Sequence, residues 1–65
     1  MSKLQEMRKK RGLTQVQLAD ASGVKLRTIQ AYEADQRSIN KAGAEDVARM
    51  ARVLHCISED ILEDF

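Results

Sequence analysis

The stretch Leu13-Thr14-Gln15-Val16-Gln17-Leu18, followed by Ala19 and by Ser22-Gly23-Val24, decides how this chain folds. Thr14 can cap a helix through its hydroxyl. Gln17, at the third helical position, can reach back to the cap amide. Leu13 before the cap and Leu18 at the fourth position can close over that start as a hydrophobic staple. The helix so begun runs to about Ala21. Ser22-Gly23 ends it, with Gly23 suited to a positive φ. Val24 resumes the apolar pattern at once, and Ile29 and Tyr32 follow at helical spacing, which predicts a second helix over roughly Leu26 to Glu33. Two short helices crossing over a tight turn need a small residue at the approach, a glycine in the turn and apolar groups to bury between them. Ala19, Gly23 and the set Leu18, Val24, Ile29 and Tyr32 meet those demands within residues 14–34.

The flanks read as further helices. Leu4 and Met7 share one side of a first helix from about Lys3 to Arg11, and the run Arg8-Lys9-Lys10-Arg11 before Gly12 is a C-terminal signature. Residues Ala34 to Asn40 are polar and irregular. Asn40 is a competent cap for a fourth helix reaching Leu54, with Ala44, Val47, Met50, Ala51 and Leu54 forming an apolar stripe. Gly43 weakens its first turn by ~1 kcal/mol relative to alanine. Ile57-Ser58-Glu59-Asp60-Ile61-Leu62 repeats the start signal: Ser58 caps, the two acids complement the helix dipole, and Ile57 and Leu62 form a second staple. The expectation is all-α: five short helices in one domain over residues 1–65, with no strand.

Composition narrows the chemistry. At 65 residues with a net charge of +1, the chain has room for one small core. The charge is unevenly spread: residues 1–37 hold eight Lys/Arg against four acids, residues 38–65 three against six. One half therefore suits a polyanion, and the alternative is two solvated surfaces. The single cysteine, Cys56, excludes an internal disulfide and fits a reducing compartment. No apolar run is long enough for a membrane span or a signal peptide, and the expected location is cytoplasmic. One His and one Cys cannot complete a four-ligand zinc site, and His55 and Cys56, adjacent in sequence, diverge in direction. Glu59-Asp60 and Glu63-Asp64 are explained by capping and solvation. A domain this small offers little room for a pocket of ~300 Å³. The chain is accordingly read as no enzyme, with no cofactor, no metal and no small-molecule substrate.

The residues Met7 to Gln15, then Leu18-Ala19, Ser22-Gly23-Val24, Thr28-Ile29 and Tyr32-Glu33, and beyond them Ala51-Arg52-Val53-Leu54 and Ser58 to Leu62, resemble the Cro/repressor-type helix-turn-helix family, also called the xenobiotic-response-element (XRE) family. The resemblance covers nearly the whole chain. It implies a compact five-helix, lambda-repressor-like domain that binds double-stranded DNA and regulates transcription, repressor-like, with a recognition helix over about 26–33. It implies that Lys25, Leu26, Arg27, Gln30 and Ala31 face base edges. It further implies that Gln15 contacts phosphate and braces a side chain on the recognition helix, that Thr28 lies at the phosphate edge, and that Arg8 and Glu33 form a structural ion pair. Members usually act as dimers. The alternative within the same fold is an antitoxin or protein-interaction module, with a toxin covering the acidic half.

Side-chain chemistry bears on these positions independently. Arg27 suits bidentate reading of guanine O6/N7 and Gln30 of adenine N6/N7; either can instead touch only phosphate. Leu26 offers apolar contact to a thymine methyl, or packs in the core beside Ile29. Lys25 fills a cap position where Ser, Thr, Asn or Asp serves better, which is either a small stability cost or an opening for phosphate at a helix start. Lys10, Arg11, Arg37 and Lys41 are candidate phosphate neutralisers, or solvated cations. Ala34-Asp35 stands where the family commonly has Asn-Gly, and aspartate tolerates left-handed φ. Ser38 to Gly43 is about three residues longer than the commonest spacing and is expected to add nearly a turn to helix four. His55 occupies a place usually held by glycine. A homodimer through residues 57–65 is expected from apolar Ile57, Ile61, Leu62 and Phe65 on a chain too short to bury them alone.

Overall fold

Four of the segments that carry helical periodicity form α-helices, and each ends for a local reason. In a computed structural model, which describes residues 2–63, these are α1 (Lys3–Lys10), α2 (Gln15–Ser22), α3 (Leu26–Glu33) and α4 (Ala44–Val53). Ser2 Oγ accepts from the Gln5 amide at 3.0 Å to start α1. At the start of α2 the Thr14 hydroxyl accepts from Gln17 N at 3.0 Å, and Thr14 N donates to Gln17 Oε1 at 2.9 Å, closing the capping box.

Three helix ends share one device. After α1, Gly12 N donates to Lys9 O and Leu13 N to Arg8 O. After α3, Asp35 N donates to Tyr32 O and Gln36 N to Ala31 O. After α4, His55 N donates to Arg52 O and Cys56 N to Ala51 O. Each is a Schellman pair closed by a residue in the left-handed region, at φ 72, 59 and 53 for Gly12, Asp35 and His55. Gly23, at φ 78, ends α2.

The core is aliphatic. Leu18 and Ile29 from the crossing pair, Leu4 from α1, Met50 and Leu54 from α4 and its cap, and Ile61 are the largest fully buried side chains. Val24, Tyr32, Ile39, Val47 and Ala51 complete it. Helix α4 packs on α2, and α1 on α3, so the crossing pair is backed on both sides.

The C-terminal half departs from expectation in five ways. There are four α-helices among the described residues, not five: Ser58–Asp60 is a single 3₁₀ turn. It does not propagate because the backbone of Glu63 is taken. Glu63 N donates to Asn40 Oδ1 at 2.9 Å, and Glu63 O accepts from Asn40 Nδ2 at 2.8 Å. That same pairing removes Asn40 as a cap. Residues Ile39–Lys41 form a separate 3₁₀ turn, and α4 starts after Gly43, with Glu45 and Asp46 in its first turn. The longer spacing therefore makes a turn of its own and adds nothing to α4. Ala44 is exposed rather than part of the stripe, because it opens the helix at its solvent side. Ile57 is 63% exposed and forms no staple with Leu62; the Ile57 amide donates to Asp60 Oδ2 at 3.2 Å. Asp64 and Phe65 lie outside the described residues.

Candidate nucleic-acid interface

Helix α3 buries Ile29, Tyr32 and Glu33 and exposes Arg27 and Gln30, spaced i and i+3 on the opposite side, with exposed Ala34 at its C-cap. Ala31, half-buried, borders that stripe. Leu26 and Thr28 are half-buried at its margins, and Leu26 stands outside the buried core. Lys25, exposed, occupies the cap position and makes no side-chain cap bond. Two long polar side chains thus stand on a narrow helical face with one small side chain beside them. That arrangement allows close approach to a flat, hydrogen-bonding surface.

A buried polar network fixes that helix to the rest of the molecule. Arg8 Nε donates to Glu33 Oε2 at 2.7 Å and Arg8 Nη2 to Glu33 Oε1 at 2.9 Å. The two side chains are 10% and 3% exposed. The bidentate geometry is the strong form of this pair. The hydrogen bond to Glu33 raises the Arg8 pKa above its ordinary value, against the opposing effect of burial. Arg8 Nη1 donates to Leu13 O at 2.8 Å. Gln15 Nε2 donates to Glu33 Oε1 at 3.1 Å, so the first residue of α2 is tied to the last residue of α3. Among the described residues no buried side-chain polar atom lacks a partner. The Gln15–Glu33 bond is a brace onto a side chain of α3 of the kind the resemblance implies for Gln15; the Arg8–Leu13 carbonyl bond was not expected.

The cations divide. Lys10 is exposed in the last turn of α1, and Lys41 is exposed in the 3₁₀ turn after α3. The Arg37 guanidinium lies 5.6 Å from the centroid of the Tyr32 ring, a cation–π distance that holds it beside the end of α3. Arg11 does not extend as an unattached cation. Its Nε donates to Leu54 O at 2.7 Å and its Nη2 to His55 O at 3.3 Å, on the C-terminal end of α4.

The remaining surface features are modest. One hollow of about 210 Å³ is lined by Tyr32, Asp35, Arg37, Ser38, Ile39 and Glu63. Another, of about 250 Å³, is lined by Asn40, Ala42, Ala44, Val47, Ser58 and Leu62. No group of three or more His, Cys, Asp or Glu among the described residues is arranged to hold a metal ion. No described helix is long and apolar enough to cross a membrane.

A family model described as "Helix-turn-helix" matches residues 4–62, which takes in all four helices but the first residue of α1. No curated protein matches the chain.

Proposed function

This chain belongs to the helix-turn-helix family, in its Cro/repressor (XRE) type, and from that premise we propose that it is a sequence-specific repressor that lays α3 in the major groove. The family makes it a DNA-binding regulator; the readout and the sign of regulation are our reading. The observation that carries it is the exposed face of Arg27 and Gln30 on a helix held rigidly through Glu33. Arg27 takes guanine O6/N7 and Gln30 adenine N6/N7. Lys25 lies at the groove edge, Leu26 meets a thymine methyl, and Ala31 gives the clearance for both long side chains. Gln15, Thr28, Lys10, Arg37 and Lys41 neutralise or hydrogen-bond phosphates, which set register without reading sequence. Arg11 stands apart from that set, because its Nε and Nη2 donate to the Leu54 and His55 carbonyls.

The protein acts as a homodimer through residues 57–65, spacing two recognition helices by ~34–36 Å along the duplex. Ile61 is fully buried in the chain's own core, so exposed Ile57 supports this part. The same Ile57, next to exposed Glu59 and Asp60, supports the second reading, in which a protein partner such as a toxin covers the acidic half.

Selection of bound duplexes from a random pool tests the main reading. A consensus with two half-sites one helical turn apart, bound with a steep salt dependence, is the expected result. Recovery of no consensus, or affinity indifferent to salt, refutes it; a co-purifying protein without DNA affinity favours the second.

A further inference from the structure

We propose that Arg11 serves DNA binding as a positioning residue that touches no DNA: its guanidinium locks the α1–α2 turn to the end of α4 and so fixes where α2 begins. The inference rests on the DNA-binding reading above. Only Arg11, Gly12 and Leu13 separate the end of α1 from the cap residue Thr14. That turn is fastened on both sides. On one, Leu13 is gripped by Arg8, whose carbonyl accepts from Leu13 N at 3.1 Å and whose Nη1 donates to Leu13 O at 2.8 Å. On the other, Arg11 spans two successive carbonyls of the α4 terminus, Leu54 and His55, where the negative end of a helix dipole favours a cation.

The planar fork of a guanidinium matches two neighbouring acceptors in a way a single ammonium cannot. Turning Nε toward a phosphate would give up its 2.7 Å bond to Leu54 O. The side chain also lies near enough to Cys56 to oppose the rise in that thiol's pKa, which places its charge at the α4 end. Thr14 and Gln15 therefore meet DNA from a turn that is already ordered, and the ordering cost is not charged to binding.

The test compares wild type, Arg11→Met and Arg11→Lys on the selected duplex from about 50 to 300 mM salt. Arg11→Met is expected to weaken binding roughly 3–10-fold at every salt concentration, the range that ordering one loop and side chain represents. The slope of log affinity against log salt stays unchanged, and Arg11→Lys restores affinity only in part. Amide exchange at Gly12 and Leu13 in the free Arg11→Met protein accelerates. A slope lowered by ~0.9 with full rescue by lysine makes Arg11 a phosphate contact and overturns the proposal. So does unchanged affinity, or unchanged exchange. If Arg11→Met does not fold, Arg11→Lys decides: full affinity refutes the positioning role and reduced affinity supports it. A wild type that binds no duplex sinks the DNA-binding reading, while the exchange experiment still reports on the clamp.

Discussion

Glu33→Ala is the sharpest single perturbation of this structure. The carboxylate is 3% exposed and receives three donors: two from Arg8, at 2.7 and 2.9 Å, and one from Gln15, at 3.1 Å. Deleting it leaves the buried Arg8 guanidinium with only the Leu13 carbonyl. Breaking a buried pair by removing one partner costs ~3–5 kcal/mol, because the remaining charge stays desolvated. A domain of this length holds only ~3–10 kcal/mol in total. At ~4–8 °C per kcal/mol, the melting temperature falls by roughly 12 °C or more. The double replacement Arg8→Met with Glu33→Leu removes both charges and leaves neither stranded. It is expected to be more stable than Glu33→Ala; with Arg8→Met and Glu33→Leu made singly to complete the cycle, the coupling is ~0.5–3 kcal/mol. Urea unfolding followed by far-UV circular dichroism gives each number. If Glu33→Ala loses under ~1 kcal/mol, the level of an exposed pair, the network does not hold α3 in place.

Arg27→Ala is expected to cost ~1–3 kcal/mol on the selected site and to relax one base position, whereas Lys10→Ala weakens selected and random duplexes alike and lowers the salt slope by ~0.9; competition binding separates the two. Gly23→Ala meets no atom within 4 Å of the added carbon, so its cost is backbone strain at φ 78 alone, ~1–2 kcal/mol by thermal melting, and a neutral result refutes the strain argument. Burial, reinforced by Asp60, pushes the Cys56 thiol above its ordinary pKa. The folded state keeps that proton where the unfolded chain has lost it, so the thiol's contribution to stability is constant below the unfolded value of ~8.5 and declines above it. Cys56→Ala should flatten the decline seen in melting temperature between about pH 8 and 10.

What the sequence revealed and what it hid follow from range. The α2 start was legible because Thr14 and Gln17 are three residues apart and satisfy each other. The α3 face was legible because Ile29 and Tyr32 fix a period. Helix α4 starts later than its sequence suggests because Asn40 is a good cap on local grounds, yet its amide is claimed by Glu63, 23 residues away. The last segment differs for the same cause seen from the other end: Ser58 and the acids after it favour a helix, but Asn40 holds the backbone just past it in another conformation. The docking of Arg11 on Leu54, 43 residues on, leaves no local mark in a basic run on the cationic half.

Glu63 also accepts the Lys3 amide through Oε1 at 2.8 Å, beside its two bonds to Asn40. The Glu63 carboxylate and the Asn40 side chain thereby join residue 3, residue 40 and residue 63. The two ends of the described chain are thus coupled, since releasing Glu63 frees the Lys3 amide in the first turn of α1. Proton exchange at the Lys3 and Glu63 amides should report a common opening event, faster than exchange of the Leu18 and Ile29 amides at the centre.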